Sequence, residues 1–422
     1  MISNREQDFK VRGWNKDFAD LKDRFLKITI IGKGTYGCVY KASPLSDPSK
    51  VYALKKIQLF KEKDGFPITA LREIKILQAV NHRNVLRLVD IMCSKSSEPN
   101  SYRMSTFLIL EYMEHDFVSL IPSVEFSMRE IKCLMKQLLE GCAFLHAQKI
   151  IHRDLKSGNL LMNNKGEIKI ADFGMARYHY NPNNKLTKNV VTFWYRSPEL
   201  FFGERNYTNK VDIWSIGCIF AEMLTKKVLF NANEAKDQME KMYQRLGPPE
   251  EAWPEVKDLP YYNDLKPKLK YTKALGAYIQ NLNPEADQSC IDLLERLLAY
   301  NPRNRLSAES ALKHPFFSSE PLPCEPHQIQ KLTKEYHDYM IRTMNKEREK
   351  RLHKERLEQE RREQEAYRRK WDEKKKDNSN ASSFNRLASL LGPPKDHEEE
   401  ESSSSSDGEE QPEEEQLGKR RP

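Results

Sequence analysis

Residues 152–159 of this chain are HRDLKSGN, and residues 172–174 are DFG. These two strings place two carboxylates, an ammonium group and an amide within a short span. Asp154 has the chemistry to orient an attacking hydroxyl group and accept its proton, and Lys156 can neutralise a phosphoryl group in transfer. Asn159 and Asp172 offer the hard oxygen ligands that Mg²⁺ prefers. The pattern therefore predicts phosphoryl-transfer chemistry, with both strings at one site.

A glycine-rich string, GKGTYGCV, lies upstream at residues 32–39. The runs on either side alternate apolar and polar residues, which predicts two strands. A dinucleotide-binding turn needs a helix directly after the glycines, so that interpretation is not favoured. Glycines at 32, 34 and 37 allow a hairpin to lie close over phosphate oxygens. Lys55 in the next strand is then placed to hold the α- and β-phosphates, although a single lysine in a strand is usually a surface residue.

Charge is unevenly distributed along the 422 residues. Residues 346–377 carry +4, residues 378–422 carry −6, and the rest of the chain carries +10, which together give the net charge of +8. A basic body favours an acidic or phosphorylated partner. Seven scattered cysteines form no CxxC or zinc spacing, which indicates reduced thiols. The polar start predicts no signal peptide, and no run is long enough to predict a membrane span.

Changes in composition and residue pattern along the chain predict the domain organisation. Residues 346–377 have almost no apolar stripe, and pairs such as Glu347/Arg351, Glu358/Arg362 and Glu365/Arg369 put the acid first, so a solvated single helix is expected. The expected segments are an extension at 1–24, a β-rich lobe at 25–112, a helical lobe at 113–317, a further extension at 318–345, a charged helix at 346–377 and a disordered acidic, serine-rich tail at 378–422.

Taken together, these strings resemble the eukaryotic protein kinases over about residues 25–317. SPE at 197–199, DIWSIG at 212–217 and NPRNR at 301–305 follow in the family's order. The resemblance implies an α+β, bilobal protein kinase fold, in which a small antiparallel β lobe with one helix precedes a larger, mostly α-helical lobe. It implies ATP and Mg²⁺ as cofactors, a Lys55–Glu73 contact that sets the ATP geometry, and a Glu199–Arg305 pair in the lower lobe.

The resemblance also assigns the nucleotide site. The side chains expected to sandwich adenine are Ile31, Val39, Ala53 and Leu161. Backbone groups of Glu111 and Met113 are expected to bond the adenine edge, and Asp116 is expected to bond the ribose. The expected ATP-binding residues are Ile31, Gly32, Lys33, Gly34, Thr35, Tyr36, Gly37, Cys38, Val39, Ala53, Lys55, Glu111, Met113, Asp116 and Leu161.

The string PITALRE at 67–73 narrows the resemblance to cyclin-dependent kinases of the transcription-elongation type. That resemblance implies a cyclin of the T or K type on the outer face of this helix, around Ile68 and Leu71. The alternative is that these two side chains pack internally. Pro67 is expected at the first helical position, where its missing N–H costs nothing.

A regulatory phosphate is the second expectation for this helix. Neighbouring helical residues leave the axis about 100° apart, so Arg72 and Glu73 face different sites. Arg72 is expected to meet Arg153 and Arg177, and three guanidinium groups in one place need an anion. The resemblance implies a phosphate on Thr187, while Thr192 is expected to bridge Asp154 and Lys156.

The resemblance implies a nuclear, proline-directed serine/threonine kinase with no membrane contact. Its expected substrates are the repeat tail of the RNA polymerase II large subunit and elongation factors. Two alternatives remain: a cell-cycle or splicing-related cyclin-dependent kinase, and a non-catalytic scaffold. In the scaffold, the charged tail binds partners or nucleic acid, although a charged tail is more often only solvated.

Overall fold

The computed structural model describes residues 21–34, 37–57, 66–93, 105–179 and 192–377. Predictions for Thr35, Tyr36, Thr187 and the tail after 377 lie outside these ranges. The first lobe is a five-stranded antiparallel sheet in the order β1-β2-β3-β5-β4. Its strands are β1 Phe25–Gly34, β2 Gly37–Pro44, β3 Tyr52–Lys56, β4 Leu88–Cys93 and β5 Thr106–Glu111.

Both faces of this sheet are covered, which follows from side-chain alternation along β5. Leu108 and Leu110 point into the main core, whereas Phe107 and Ile109 belong to a smaller cluster on the other face. Successive strand residues point to opposite faces, so an uninterrupted apolar run such as TFLIL suits a strand buried on both sides. The short helix α1, Leu21–Arg24, supplies Leu21 to the smaller cluster.

Helix α2, Ile68–Ala79, connects the sheet to the catalytic region. It buries Ala70, Glu73, Ile76 and Leu77, which repeat at the three- and four-residue spacing of one helical face. The prediction that Pro67 occupies the first helical position is wrong by one residue. Pro67 is the N-cap, with φ −59° and an extended ψ of 127°, and the helix begins at Ile68.

The second lobe is built around two long helices. The first is α4, Met128–Ala147, which begins directly after the N-cap Ser127. The backbone and side chain of Ser127 both donate hydrogen bonds to Glu130, as the capping-box pattern predicts. The second, containing DIWSIG, is buried from Val211 through Thr225. The helices of this lobe are α3 Phe117–Ser123, α4 Met128–Ala147, α5 Pro198–Phe201, α6 Lys210–Thr225, α7 Ala235–Leu246, α8 Pro249–Ala252, α9 Tyr262–Leu265, α10 Leu275–Leu282, α11 Gln288–Leu297 and α12 Ala308–Leu312.

Short strands hold the catalytic loops against these helices. Two pair as β7 and β10, and three form a small sheet in the order β6-β8-β9. They are β6 His115–Asp116, β7 Ile150–Ile151, β8 Leu160–Met162, β9 Ile168–Ile170 and β10 Arg177–Tyr178. The HRDLKSGN string lies between β7 and β8, and the DFG string lies between β9 and β10.

The last described helix, α13, runs over Asp338–Asp377 and so begins before the predicted residue 346. The chain divides into two units after Met344. In the second unit, the ion pairs Arg351–Glu355 and Arg361–Glu365 put the base first, opposite to the predicted order. None of the seven cysteines, all of which lie in the described ranges, forms a disulfide bond. Within the described residues, no helix combines the length and apolarity that crossing a bilayer requires.

Candidate active site

Lys55, Glu73 and Asp172 form one ionic cluster between the two lobes. The Lys55 Nζ on β3 donates to both oxygens of Glu73 on α2, at 2.7 and 3.0 Å. The same nitrogen donates to Oδ1 of Asp172 at 3.1 Å. The α2 helix therefore stands in the position that brings its buried glutamate onto the strand lysine, and both lie beside the DFG aspartate.

The opposite charges of Lys55 and the two carboxylates favour each other's ionised forms. Burial alone lowers the pKa of the Lys55 ammonium, but the carboxylates of Glu73 and Asp172 outweigh burial and hold that pKa above its usual value. For Asp172, burial raises the pKa of the carboxyl group and Lys55 more than offsets the rise, so the pKa is lowered. Burial raises the pKa of Glu73, and Lys55 opposes that rise. The lysine is thus held as a cation and Asp172 as an anion.

Two residues of the catalytic strings adopt left-handed backbone conformations. Asp172 has φ of 62° and Arg153 has φ of 65°, values that side-chain-bearing residues rarely take. Asp212 on α6 holds the second of these turns: its carboxylate accepts from the backbone N–H of His152 at 2.9 Å and of Arg153 at 2.8 Å. The side chain of His146 on α4 also contacts this carboxylate at 2.9 Å. Such backbone strain persists only where surrounding contacts fix it.

Asp154 is the centre of a second network. Its Oδ1 accepts from the hydroxyl of Thr192 at 2.8 Å and from the Thr192 backbone N–H at 3.0 Å. Lys156 Nζ donates to Asp154 Oδ2 at 3.0 Å and to the Thr192 hydroxyl at 2.9 Å. The threonine therefore bridges the aspartate and the lysine, in the arrangement expected from the resemblance. A carboxylate and an ammonium held side by side suit a site that binds a hydroxyl group and a phosphate together.

The residues expected to hold magnesium have a donor set that fits the ion. Asn159 Nδ2 donates to the backbone oxygen of Asp154 at 2.8 Å and to its Oδ2 at 3.0 Å. These bonds fix the amide plane and leave the Asn159 carbonyl oxygen for another partner. The backbone of Ala171, next to Asp172, donates to the backbone oxygen of Asn159 at 2.9 Å, which ties the two strings together. Carboxylate and amide oxygens are suitable ligands for Mg²⁺.

The apolar residues expected around adenine all belong to the main hydrophobic core or pack against it. β1 and β2 form the glycine-rich hairpin, with Gly32 opposite Val39 and Gly34 opposite Gly37. Gly37 has φ of 133°, a conformation that favours glycine, at the turn of this hairpin. Ala53, Leu110 and Met113 are buried members of this core, and Ile31, Val39 and Leu161 are partly buried and pack against it.

Asp116, which is predicted to bond the ribose, has a structural role in the fold. Its Oδ1 accepts from the backbone N–H of Ser119, which caps α3, and its Oδ2 accepts from the backbone N–H of Asp338 at 2.7 Å. Its side chain is buried, and burial raises the pKa of the carboxyl group. Both oxygens are therefore engaged by backbone groups, and a ribose contact has to share them.

Sequence reasoning missed the segment that reaches Asp116 from the far end of the chain. Residues 335–338, here called the hinge strap, pair with β6 through a bridge between His115 and Tyr336. Glu335 accepts from Lys41 on β2 and from the Tyr112 hydroxyl, at 2.5 and 2.9 Å. The strap thus joins the first lobe to the link between the lobes. More than 200 positions separate these partners, and no motif in the sequence indicates the contact.

Three arginines converge below α2. Burial, and then the positive charges of Arg177 and Arg153, lower the pKa of Arg72. Arg72 donates to the backbone oxygen of Gly174 at 3.4 Å, and Arg153 donates to that of Met175 at 2.8 Å. Within the described residues, the buried Nε of Arg177 has no hydrogen-bond acceptor. Like charges gathered with an unsatisfied donor form a site that suits an anion.

Comparison with known families agrees with this geometry: the protein kinase domain family matches residues 25–317. This chain is a protein kinase. Its relatives include cyclin-dependent kinase C-1 of Oryza sativa subsp. japonica, 42% identical over 322 residues, which cover 73% of this chain and 61% of the relative. CTD kinase subunit alpha of Schizosaccharomyces pombe is 44% identical over 315 residues, covering 74% of this chain and 51% of the relative. The chain therefore spans between half and two thirds of these proteins.

A solved structure supports the same assignment. The kinase resembles a chain of the structure of the CAK complex from Chaetomium thermophilum bound to ATP-γ-S, with a TM-score of 0.66 and 34% sequence identity. The match covers 74% of this kinase and 96% of that chain. The predictions of the bilobal kinase fold and of the cyclin-dependent kinase family are confirmed.

The lower lobe of the kinase contains the buried pair implied by the resemblance. Arg305 donates two hydrogen bonds to the two oxygens of Glu199, at 2.9 and 3.0 Å, and both side chains are almost fully buried. This bidentate contact ties the SPE string to the NPRNR string. The DIWSIG string predicts no role for Asp212, and no motif predicts one for His146. In the structure, Asp212 holds the backbone of His152 and Arg153, and His146 contacts the Asp212 carboxylate.

Proposed function

We propose that this protein is an active serine/threonine kinase that transfers the γ-phosphate of ATP. The observation that carries the proposal is the closed contact between Lys55 and Glu73, with Asp172 on the same ammonium. This contact and the magnesium-side aspartate are the two parts that a kinase has to bring together. In this proposal, Asp154 orients the substrate hydroxyl, Lys156 neutralises the transferred phosphoryl group, and Asn159 and Asp172 hold Mg²⁺.

A cyclin partner is proposed on the outer face of α2. Ile68 is 72% exposed and Leu71 is 44% exposed, while the opposite face of the helix is buried. Both side chains remain exposed within the described chain, which goes against the alternative of internal packing. Exposed apolar side chains on one helix face are typical of a protein interface. A cyclin of the T or K type on this face would stabilise α2 with Glu73 on Lys55.

The arginine cluster supports control by an activating phosphate, proposed on Thr187. The phosphate would bring three charge-assisted contacts to guanidinium groups that otherwise repel one another. Thr192, the other candidate, already bridges Asp154 and Lys156 through its hydroxyl. A phosphate on Thr192 would place further negative charge against Asp154, so Thr187 is favoured.

The proposed substrate is the repeat tail of the RNA polymerase II large subunit, followed by proline-directed sites on elongation factors, in the nucleus. The CTD kinase subunit alpha among the relatives supports this choice. The PITALRE string supports the elongation branch of the family over a cell-cycle or splicing role. The basic body favours substrate repeats that already carry phosphate.

The test is to purify the chain with its native partner, to identify that partner by mass and to assay polymerase-tail peptides. Phosphate transfer by the wild-type complex and its loss in Asp154→Asn are expected. Recovery of a mitotic cyclin would instead favour the cell-cycle alternative. Intact cellular function of Asp154→Asn, despite lost transfer, would support the scaffold.

Ile68→Asp tests the partner face separately. The control is Leu269→Asp, because Leu269 is a similarly exposed apolar residue (67%) in the second lobe and not on α2. The Ile68 variant is expected to lose the cyclin because a charge replaces an exposed apolar contact. Retention of the cyclin by Ile68→Asp, or equal loss in both variants, would contradict the proposed interface.

A further inference from the structure

The helix residues that follow Met344 carry an arc of basic side chains outside the catalytic machinery. Every side chain from 345 to 370 is exposed. A helix advances about 100° per residue, so positions three and four apart share a face. One face, about 100° wide, is called here the basic stripe. It consists of Lys346, Lys350, His353, Lys354, Leu357, Arg361, Gln364 and Arg368.

The acidic residues of this helix segment avoid the basic stripe. The stripe holds five lysines and arginines and no aspartate or glutamate, while every acid from 345 to 370 lies elsewhere on the helix. Glu358 and Glu365 lie on one flank and Glu360 on the other. Opposite charges that merely solvate a helix need no such separation. The arrangement gives a line of cations about 33 Å long at 1.5 Å per residue.

Local ion pairs do not neutralise this line of cations. Lys354 and Arg361 lie 4.0 and 3.6 Å from the acids one turn onward, and both side chains remain 79% exposed. Exposed pairs of this kind contribute roughly 0–1 kcal/mol. A polyanion that contacts several stripe residues at once therefore competes readily with them.

We propose that the basic stripe binds single-stranded RNA along its phosphate backbone. A helix in a duplex groove has phosphates on both sides, and the flanking acids of this helix would face those phosphates. The deep, narrow major groove of an RNA duplex is also closed to side chains. A single strand needs only one line of cations. His353 and Gln364 add hydrogen-bonding groups within the stripe for the 2′-hydroxyl group, which DNA lacks.

The number of cations sets the expected salt dependence. Neutralising Z phosphates of a single strand gives a slope of about −0.7Z in a plot of log affinity against log salt concentration. Five stripe cations predict a slope of about −3.5, and removing three of them predicts about −1.4. This readout needs no phosphate transfer, so it is independent of the proposed kinase activity.

The test is fluorescence anisotropy of a labelled single-stranded RNA with the purified full chain, over a series of salt concentrations. The stripe variant combines Lys350→Gln, Arg361→Gln and Arg368→Gln. The control combines Lys370→Gln, Arg348→Gln and Arg362→Gln on the opposite side of the helix. Both variants lose one lysine and two arginines, so net charge and helix propensity are matched. Circular dichroism checks that both retain the helix.

The stripe variant is expected to lose about tenfold or more in affinity at 0.1 M salt, together with about two units of slope. The control variant should bind like the wild type. Equal losses in both variants, or no binding by the wild type, would overturn the proposal. Tighter binding to duplex, or equal binding to single-stranded DNA of the same sequence, would overturn the choice of single-stranded RNA. If RNA bound only to a chain that ends at Asp377, the acidic residues 378–422 would be the ligand of the basic stripe in the full chain, and the proposal would be overturned.

Discussion

Replacing Glu73 by glutamine tests the contact on which nucleotide positioning depends. Glutamine keeps the size of the side chain and removes its charge. Lys55 Nζ lies 2.7 and 3.0 Å from the two Glu73 oxygens and 3.1 Å from Asp172 Oδ1. When Glu73 becomes neutral, Asp172 is the remaining carboxylate on the ammonium, and Lys55 is expected to move towards it.

The size of the effect follows from the bond that is lost. A hydrogen bond to a charged group contributes about 1.5–3 kcal/mol, and each 1.36 kcal/mol corresponds to a factor of ten in rate. Glu73→Gln is therefore expected to lower kcat/KM for ATP by about 10- to 100-fold. The Mg²⁺ concentration at half-maximal rate should also rise, because Lys55 then competes more strongly for the oxygen of Asp172.

The assay is steady-state phosphorylation of a polymerase-tail peptide by the cyclin-bound kinase, with separate ATP and Mg²⁺ titrations. Glu130→Gln is the matched control. Glu130 is also buried, but it accepts hydrogen bonds from Ser127 and Gln330 at the start of α4. Unchanged kcat/KM and Mg²⁺ dependence in Glu73→Gln would refute the reasoning. An equal loss in Glu130→Gln would show that only stability had been perturbed.

Three further predictions follow from other contacts. Glu199→Gln should lower the free energy of unfolding in denaturant by about 3–5 kcal/mol, because it leaves the buried Arg305 without its carboxylate; Glu295→Gln, which breaks an exposed pair with Lys273, should cost less than about 1 kcal/mol. Thr192→Val should lower kcat about tenfold with little change in KM for ATP, since the bridge between Asp154 and Lys156 is lost, and Thr192→Ser should restore the rate. Burial lowers the pKa of His337 in the hinge strap to about 4, so the folded chain keeps this side chain neutral. The contribution of His337 to the free energy of unfolding should be complete above pH 6.5 and should fall by about 3 kcal/mol as the pH drops towards 4. In His337→Gln, this pH-dependent loss should be absent.

The sequence by itself determined the family and supplied the predictions for the catalytic positions. Asp154, Lys156, Asn159 and Asp172 belong to two strings whose order and spacing suit one chemistry. The strand and helix patterns then placed Lys55 on a strand and Glu73 on a helix. Local signals of this kind are strong because they depend on near neighbours in the chain, such as the Ser127–Glu130 capping box. The position of Pro67 was missed by one residue because helix ends depend on capping contacts as much as on residue preference.

Contacts between residues far apart in sequence were decided only by the tertiary structure. The hinge strap reaches Lys41, Tyr112 and Asp116 across more than 200 positions, and Asp212 holds the backbone of His152 and Arg153 from a helix further along the chain. A carboxylate in a sequence is equally suited to solvent, to a helix cap or to a ligand. Its role is set by which buried donors the fold brings within hydrogen-bond distance, and that depends on the packing of the whole lobe.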